Sequence, residues 1–191
     1  NASSGKTSMM LKEENKYYID IHDNLTFLKD DNHFIWTSEQ DGYNHIYLYE
    51  MNGRLKKQLT SGNWEVTSFY GVDEKNKTLY YQTASVSPME REICSIGLSG
   101  ENQKIRSTEK GMNNAQFSTT FDLYVMNHST INTAPTFTVY NRKGELVRTL
   151  EDNENVKKQQ AEAGVQPVEF FNFKTTEGVD LNGFMIKPSH F

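Results

Sequence analysis

The sequence has one cysteine, four prolines and no long apolar run, and each scarcity excludes a class of protein. Cys94 has no second cysteine with which to form an internal disulfide or a structural zinc site. The low proline content, set beside 12% aromatic residues, excludes a disordered or collagen-like chain. No apolar run approaches the roughly 18 residues that a membrane-spanning helix needs, so the sequence predicts no such helix.

Clustered positive charge and metal-ligand spacing are also missing. Basic residues occur in runs no longer than two, as in Lys56-Lys57, and the net charge is -5, so we expect no nucleic-acid partner. The histidines show neither His-x-x-x-His spacing nor a paired carboxylate, so we expect no bound metal, and we also expect no cofactor. These histidines are His22, His33, His45, His128 and His190.

An internal repeat of about 45 residues is the strongest positive signal in the chain. Each copy has a strand of aromatic and β-branched residues, a polar loop, a second strand, a glycine turn and a short last strand. The first strands begin at Phe34, Leu79 and Leu123, and the second strands begin at His45, Glu92 and Pro135. The turns are Asn52-Gly53, Ser99-Gly100 and Lys143-Gly144. One further short strand precedes each copy, at residues 25–28, 66–70 and 115–118.

Four antiparallel strands recurring at this period are typical of a β-propeller blade. We therefore predict an all-β fold, a partial β-propeller of about three four-stranded antiparallel blades, with one short helix and a terminal hairpin. Propellers usually close with four to eight blades, so we expect the chain to be a fragment. The alternative is a β-sandwich of about twelve strands, which also has short strands and glycine turns.

Composition divides the chain into four parts. Residues 1–15 are expected to be a tag remnant and an unmatched N-terminal segment, and residues 16–150 the partial propeller. Its blades are placed at about 25–60, 66–108 and 115–150. Residues 151–166 read as a helical linker, with a solvated helix from Glu151 that ends at Gly164. Residues 167–191 read as the opening hairpin of a second domain.

Several local patterns allow both a functional and a structural interpretation. The loop from Asp41 to His45 has cation-ligating residue types, but a turn in which Asn44 bonds its own backbone explains it better. Glu90 and Glu92 could act as paired acids, yet we expect a solvated loop. Trp36 and Trp64 could each stack on a ligand. For Trp64 we expect instead that the side chain is mostly buried between blades. Cys94 lies in an alternating strand pattern typical of a buried, inert thiol.

Two long segments carry a resemblance to a known family. Residues 36–47 read WTSEQDGYNHIY, and residues 58–66 read QLTSGNWEV. A third match has the form Gly-x-x-Leu-x-Gly-x-Met-Ile-x-Pro and is formed here by Gly178, Leu181, Gly183, Met185, Ile186 and Pro188. Over residues 17–191 the chain resembles the dipeptidyl peptidase IV branch of the prolyl oligopeptidase family of serine proteases, at its last propeller blades and the start of its α/β-hydrolase domain.

The resemblance implies a bacterial-type hydrolase, a serine exopeptidase that removes Xaa-Pro or Xaa-Ala dipeptides from peptide N-termini. The implied partners are peptide substrates, the chain's own hydrolase domain and a second copy in a homo-oligomer, and the implied location is exported, in the periplasm or cell envelope. The rival interpretation is a free-standing propeller that binds a protein or glycan through its loops.

No catalytic or substrate-binding residue is transferred to this chain by the resemblance. The sequence contains no Gly-x-Ser-x-Gly, the context of an α/β-hydrolase nucleophile. The family's paired glutamates that hold the substrate's amino terminus lie on an earlier propeller segment, which Glu13-Glu14 does not match. A Phe-Arg pair of some members would fall near Asp20-Ile21, which departs from it. We therefore expect these blades to shield a peptidase site without chemistry of their own.

Overall fold

The computed structural model describes residues 3–189, which form mainly antiparallel β-sheets. Three four-stranded sheets follow one another along the chain, then a helix and a two-stranded hairpin. Each four-stranded sheet contains four consecutive strands in chain order, as in a propeller blade. The predicted fold class is therefore confirmed, and the β-sandwich alternative is wrong, because a sandwich would divide neighbouring strands between two sheets.

The first sheet lies within residues 26–58 and contains the first of the repeats. Its strands are β1 (Thr26–Phe27), β2 (His33–Ser38), β3 (His45–Glu50) and β4 (Leu55–Gln58). The turn between β3 and β4 contains Gly53, whose φ of 83° is a conformation that glycine adopts without steric cost. A Cβ at Gly53 would also lie 1.7 Å from the carbonyl oxygen of Met10, so the N-terminal segment crosses this turn closely.

The second and third sheets repeat the same order. The second contains β5 (Val66–Asp73), β6 (Thr78–Thr83), β7 (Glu92–Gly97) and β8 (Lys104–Ile105). The third contains β9 (Met112–Phe117), β10 (Leu123–Thr130), β11 (Thr133–Asn141) and β12 (Leu146–Glu151). The hairpin glycines predicted at positions 100 and 144 have φ values of 75° and 86°. The repeat period in the sequence therefore corresponds to one sheet.

Side chains packed between neighbouring sheets form the core. One cluster joins the first two sheets and includes Ile35, Ile46, Leu79 and Tyr81, each of which is essentially inaccessible to water. A second cluster, around Ile93, Tyr124 and Met126, joins the second and third sheets. The middle strands β3, β6 and β7 are consequently buried on both faces. The sheets are held together by apolar side chains buried between neighbouring blades, and not by packing against a separate layer of helices or strands.

A short helix and a hairpin follow the third sheet. The helix α1 spans Glu154–Glu162 and has no buried residue, which agrees with the predicted solvated helix. Its predicted start at Glu151 is wrong, because Glu151 is the last residue of β12 and Asn153, with φ 54°, separates strand from helix. The hairpin pairs β13 (Val168–Lys174) with β14 (Asp180–Ile186). No helix among residues 3–189 is long and apolar enough to cross a membrane.

The third sheet exposes apolar side chains, and we predict that the 191-residue chain self-associates through them. Leu146 and Leu150 of β12 are 62% and 45% exposed. Because a second copy could cover this apolar surface, we expect the sedimentation coefficient to rise with protein concentration. The variant Leu146→Glu with Leu150→Glu should weaken this association. The control Gln159→Glu with Gln160→Glu adds the same charge on the solvated helix and should not. A monomer at all concentrations would contradict the prediction.

Candidate functional site

A cavity of about 160 Å³ lies where the N-terminal segment crosses the first sheet. Its lining includes Glu13, Glu14, Glu39, Gln40 and Tyr49. Glu13 Oε1 is buried and has no hydrogen-bond partner among the described residues, whereas Glu14 forms an ion pair with Lys12. Burial raises the pKa of Tyr49, and the Glu13 carboxylate adds to that rise. The cavity is therefore acidic, and the described part of its wall holds no histidine or cysteine beside a hydroxyl that could activate a nucleophile.

Sequence reasoning missed the placement of Glu13. In the sequence, Glu13 and Glu14 form an adjacent pair that lies outside any matched context. Both glutamates line the cavity, but Glu13 has a buried carboxylate oxygen whereas Glu14 is exposed and pairs with Lys12. The signal in the sequence was the Glu-Glu pair itself, and nothing in its spacing indicated which strand it would cross.

The loop from Asp41 to His45 is a turn, as predicted, but its contacts differ from the prediction. Gly42 N–H donates to the carbonyl oxygen of Glu39 at 2.8 Å, which closes the turn. Asn44 Nδ2 donates to the carbonyl oxygen of Val66 at 2.7 Å, so this side chain bonds the second sheet and not its own backbone. The prediction for Asn44 is therefore wrong. The loop joins β2 to β3 within the first sheet and contacts the second sheet through Asn44, which a local sequence pattern does not reveal.

His45 is completely buried and has a partner on each ring nitrogen. Nδ1 lies 3.1 Å from Thr60 Oγ1, and Nε2 lies 3.0 Å from the carbonyl oxygen of Gly62. Asp41 Oδ2 is 4.0 Å from Nε2. Because both nitrogens already have hydrogen-bond partners, His45 holds the end of the first sheet together and has no lone pair directed at a ligand.

The remaining histidines are dispersed, and no metal site forms among the described residues. His22 Nδ1 contacts Thr37 Oγ1 at 3.0 Å, and His128 Nε2 lies 2.9 Å from the carbonyl oxygen of Lys110. His33 contacts Asp30 and Lys56, and His190 lies outside the described residues. No group of three or more His, Cys, Asp or Glu residues within 3–189 is arranged to hold a metal ion.

The two tryptophans pack against the first sheet and are both partly buried. Trp64 stacks on Tyr81 with ring centroids 6.5 Å apart and meets His45 edge-on at 4.9 Å, so it contacts both blades. The prediction of packing between blades is confirmed, although the indole is only partly buried. Trp36 lies against His22, with ring centroids 5.0 Å apart, and belongs to the cluster that Met10 and Leu11 cover.

Cys94 lies in the middle of β7 and is inaccessible to water. Burial raises the pKa of its thiol to about 12, and the neighbouring Glu92 adds to the rise. Since the thiolate is the reactive form, this residue is inert in the folded protein at neutral pH. The predicted buried, unreactive thiol is confirmed.

Glu92 contradicts the predicted solvated loop. It begins β7 opposite Thr83 and is only 7% exposed, while Glu90 remains in the preceding loop. Burial raises the pKa of Glu92, and the carboxylate of Glu90 adds to the rise. Glu92 Oε2 has no hydrogen-bond partner within residues 3–189. The alternation of the strand continues through Glu92, and because both faces of β7 are covered, this carboxyl is buried.

We predict that Glu92 weakens the fold as pH rises. When folding raises the pKa of a carboxyl, the fold is more stable at low pH than at high pH. This contribution is fully present below the unfolded pKa and is lost as pH rises through the raised folded pKa. The variant Glu92→Gln should therefore match the parent near pH 4 and exceed its free energy of unfolding by about 1 kcal/mol near pH 7.5. Urea titrations at both pH values measure this difference. Glu177→Gln, in an exposed loop, is the control, and an equal gain at both pH values would contradict the role of ionisation.

The chain is similar over most of its length to proteins of one group. A sequence model described as dipeptidyl peptidase IV N-terminal region matches residues 1–135. Dipeptidyl peptidase 4 of Arthroderma otae is 24% identical over 163 residues, and that of Trichophyton rubrum is 26% identical over 163 residues. Both alignments cover 83% of this chain and 21% of the relative, so the chain spans about a fifth of the length of these curated relatives.

Solved structures give the same result. The crystal structure of Porphyromonas gingivalis dipeptidyl peptidase 4 is 35% identical, with a TM-score of 0.87 over 95% of this chain and 26% of that one. A putative dipeptidyl aminopeptidase IV from Bacteroides ovatus is 23% identical, with a TM-score of 0.78 over 93% of this chain and 28% of that one. The second likeness establishes the fold alone, whereas the first joins fold and sequence similarity.

Proposed function

The chain belongs to the dipeptidyl peptidase IV N-terminal region family, and we propose that its three sheets are blades of the propeller that controls access to a serine exopeptidase site. The parent protein would release Xaa-Pro or Xaa-Ala dipeptides from peptide N-termini. The observation that carries the proposal is the match of the family model over residues 1–135, which include the first two sheets and the first two strands of the third.

The proposed contribution of these blades is steric. A ring of blades over an active site excludes folded proteins and admits short peptides, so a hydrolase beneath it acts only on chain ends. The described residues support a passive role, because the buried Cys94 is inert, His45 has partners on both nitrogens, and the acidic cavity holds no activated nucleophile. Catalysis in the parent protein is accordingly assigned to residues outside this chain.

The terminal hairpin is proposed to begin the hydrolase domain. β13 and β14 pair in continuous register, from Val168 with Ile186 to Lys174 with Asp180. Asn132 attaches the hairpin to the third sheet, because its Nδ2 donates to the carbonyl oxygen of Val168 and its Oδ1 accepts the Val168 N–H. The exposed rings of Phe170 and Phe184, 52% and 64% accessible, form a surface suited to the rest of that domain.

Activity measurements on two proteins test the proposal. Residues 1–191 alone should not cleave an Xaa-Pro anilide, whereas the same gene extended until it includes a Gly-x-Ser-x-Gly segment should. Replacing the serine of that segment by alanine should abolish the activity and exclude a contaminating peptidase. Turnover by residues 1–191 alone would contradict the proposal, and so would an inactive extended protein with an intact Gly-x-Ser-x-Gly. The second result would favour the binding-scaffold alternative.

The gating role needs a separate measurement. The extended protein should cleave a proline-containing peptide and leave a folded protein with the same N-terminal sequence intact. A version that begins at the hairpin and lacks the blades, if it folds, should lose this discrimination. Equal cleavage of the folded protein by the complete enzyme would contradict the gating role while leaving the peptidase assignment in place.

A further inference from the structure

Three side chains on the first sheet form a continuous line of hydrogen bonds. Asp30 precedes β2, His33 begins β2 and Lys56 lies on β4. His33 Nδ1 lies 2.5 Å from Asp30 Oδ2, and Lys56 Nζ lies 2.7 Å from His33 Nε2. The line runs from a carboxylate through an imidazole to a primary amine, and it is separate from the acidic cavity described above.

The backbone fixes the carboxylate end of this line. Asp30 Oδ1 accepts the backbone N–H groups of Asn32, at 2.9 Å, and of His33, at 3.0 Å, which leaves Oδ2 for the imidazole. The side-chain hydrogen bond from His33, assisted by the Asn32 N–H, lowers the pKa of Asp30. An ionised carboxylate can only accept, so Nδ1 of His33 carries the proton. In the neutral ring, Nε2 is then the basic nitrogen that faces Lys56.

Among the charged groups around His33, Lys56 is the one that contacts Nε2. Glu50 of β3 is the cross-strand partner of His33, but Arg54 and Asn52 already bind its carboxylate. The pairing of β3 with β4 is irregular between Leu48 and Tyr49, beside Lys56. The groups that face the imidazole are therefore Asp30, Glu50 and Lys56. The His33 ring is 18% exposed and Lys56 is exposed, so a small reagent in solution can reach the amine.

We propose that Lys56 is a site of selective acylation by small activated acyl donors of the acyl phosphate class, with His33 as its general base. His33 Nε2 takes a proton from the Lys56 ammonium, and the amine lone pair forms a bond to the acyl carbon. The tetrahedral intermediate expels phosphate as its carbon–oxygen bond breaks. With acetyl phosphate dianion, the ammonium becomes a neutral acetamide, and the other products are hydrogen phosphate dianion and one proton. Asp30 is a positioning residue, because it acts through the imidazole.

Site-resolved acetylation rates test this assignment. The 191-residue chain is incubated with acetyl phosphate at pH 8, digested with a protease that does not cut at lysine, and quantified by mass spectrometry. Lys57 is the internal reference, since it is the next residue on β4 and its ammonium donates to the carbonyl oxygen of Ser99. We expect Lys56 to react about tenfold faster than Lys57. This acceleration is smaller than the roughly 10²- to 10⁴-fold that general bases contribute in enzyme active sites, because Lys56 is exposed to solvent.

Variants separate the base from its surroundings. His33→Gln keeps a polar side chain and removes the base, so it should lower the Lys56 rate to about that of Lys57. Asp30→Asn keeps an oxygen for the two backbone N–H groups and should lower the rate partially. His128→Gln, a histidine on the third sheet, should leave the Lys56 rate unchanged. Circular dichroism establishes that each variant is folded.

Two results would overturn the proposal. One is a Lys56 rate in the parent protein within about twofold of the Lys57 rate, far below what general-base assistance supplies. The other is an undiminished Lys56 rate in a folded His33→Gln variant, which would show that exposure alone sets the reactivity. Neither result depends on peptidase activity, so the proposed function and this site are tested independently.

Discussion

Replacing Tyr124 by alanine is expected to lower the free energy of unfolding by about 3 to 5 kcal/mol, the range for deleting a packed aromatic side chain. Tyr124 is 2% exposed and lies in the cluster that joins the second and third sheets. Its ring stacks on Phe117 with centroids 5.0 Å apart and on Tyr140 at 5.4 Å. The deletion therefore removes contacts with its neighbours and leaves a cavity between two blades. A urea titration of the parent and the variant measures the change.

Tyr124→Phe is the matched control for this prediction. The Tyr124 hydroxyl is buried and has no hydrogen-bond partner among residues 3–189, and burial raises its pKa to about 12, so it is neutral at ordinary pH. Removing it keeps both ring contacts, and the free energy of unfolding should change by less than about 0.5 kcal/mol. If the phenylalanine variant lost as much as the alanine variant, the hydroxyl and not the ring would be the stabilising group.

The repeat in the sequence predicted the blades because it reports a local property. Strand, turn and strand recur at a period of about 45 residues. Each hairpin of the repeat depends on residues close in sequence, such as Asn52-Gly53. Strand ends were less well predicted, and β5 continues to Asp73 rather than ending at Tyr70. This strand carries register shifts near Ser68 and Gly71, and those depend on its pairing with β6 rather than on its own residues.

Burial of Glu92 was missed because the sequence interpretation assumed that charged residues near a strand end face water. In a blade the middle strands have neighbours on both faces, so that assumption fails for β7. Trp64 was expected to be mostly buried between blades, and it does pack between the first two sheets with only partial exposure. For Glu92, the packing of adjacent blades determines the burial of the carboxyl, and the sequence of one blade does not contain that information.

The candidate sites were less predictable than the fold. One strand, β3, lies between His33 on β2 and Lys56 on β4, so their contact requires the register of both hairpins to be known. Glu13 reaches its cavity only because the N-terminal segment crosses the first sheet near Gly53. Such contacts depend on long-range placement, whereas the hairpin signals depend on neighbouring residues.

Trp64→Ala is expected to lower the free energy of unfolding by about 3 kcal/mol, the lower end of the range for a packed tryptophan, because the indole is partly exposed. The indole also lies across the turn that precedes it, since a Cβ at Gly62 would be 2.2 Å from Trp64 Nε1. Its stacking on Tyr81 and its edge-on contact with His45 connect the first sheet to the second. Denaturant titration of the 191-residue chain measures the loss.

A smaller aromatic residue separates packing from ligand binding at this position. Trp64→Phe keeps a ring against Tyr81 and gives up the contact over Gly62, so it should lose about half as much stability as the alanine variant. A loss below about 1 kcal/mol for Trp64→Ala would mean that the indole contributes little to packing. That result would favour a ligand-binding role for the exposed part of the ring. The contacts of Trp64 with His45 and Tyr81 argue against such a role.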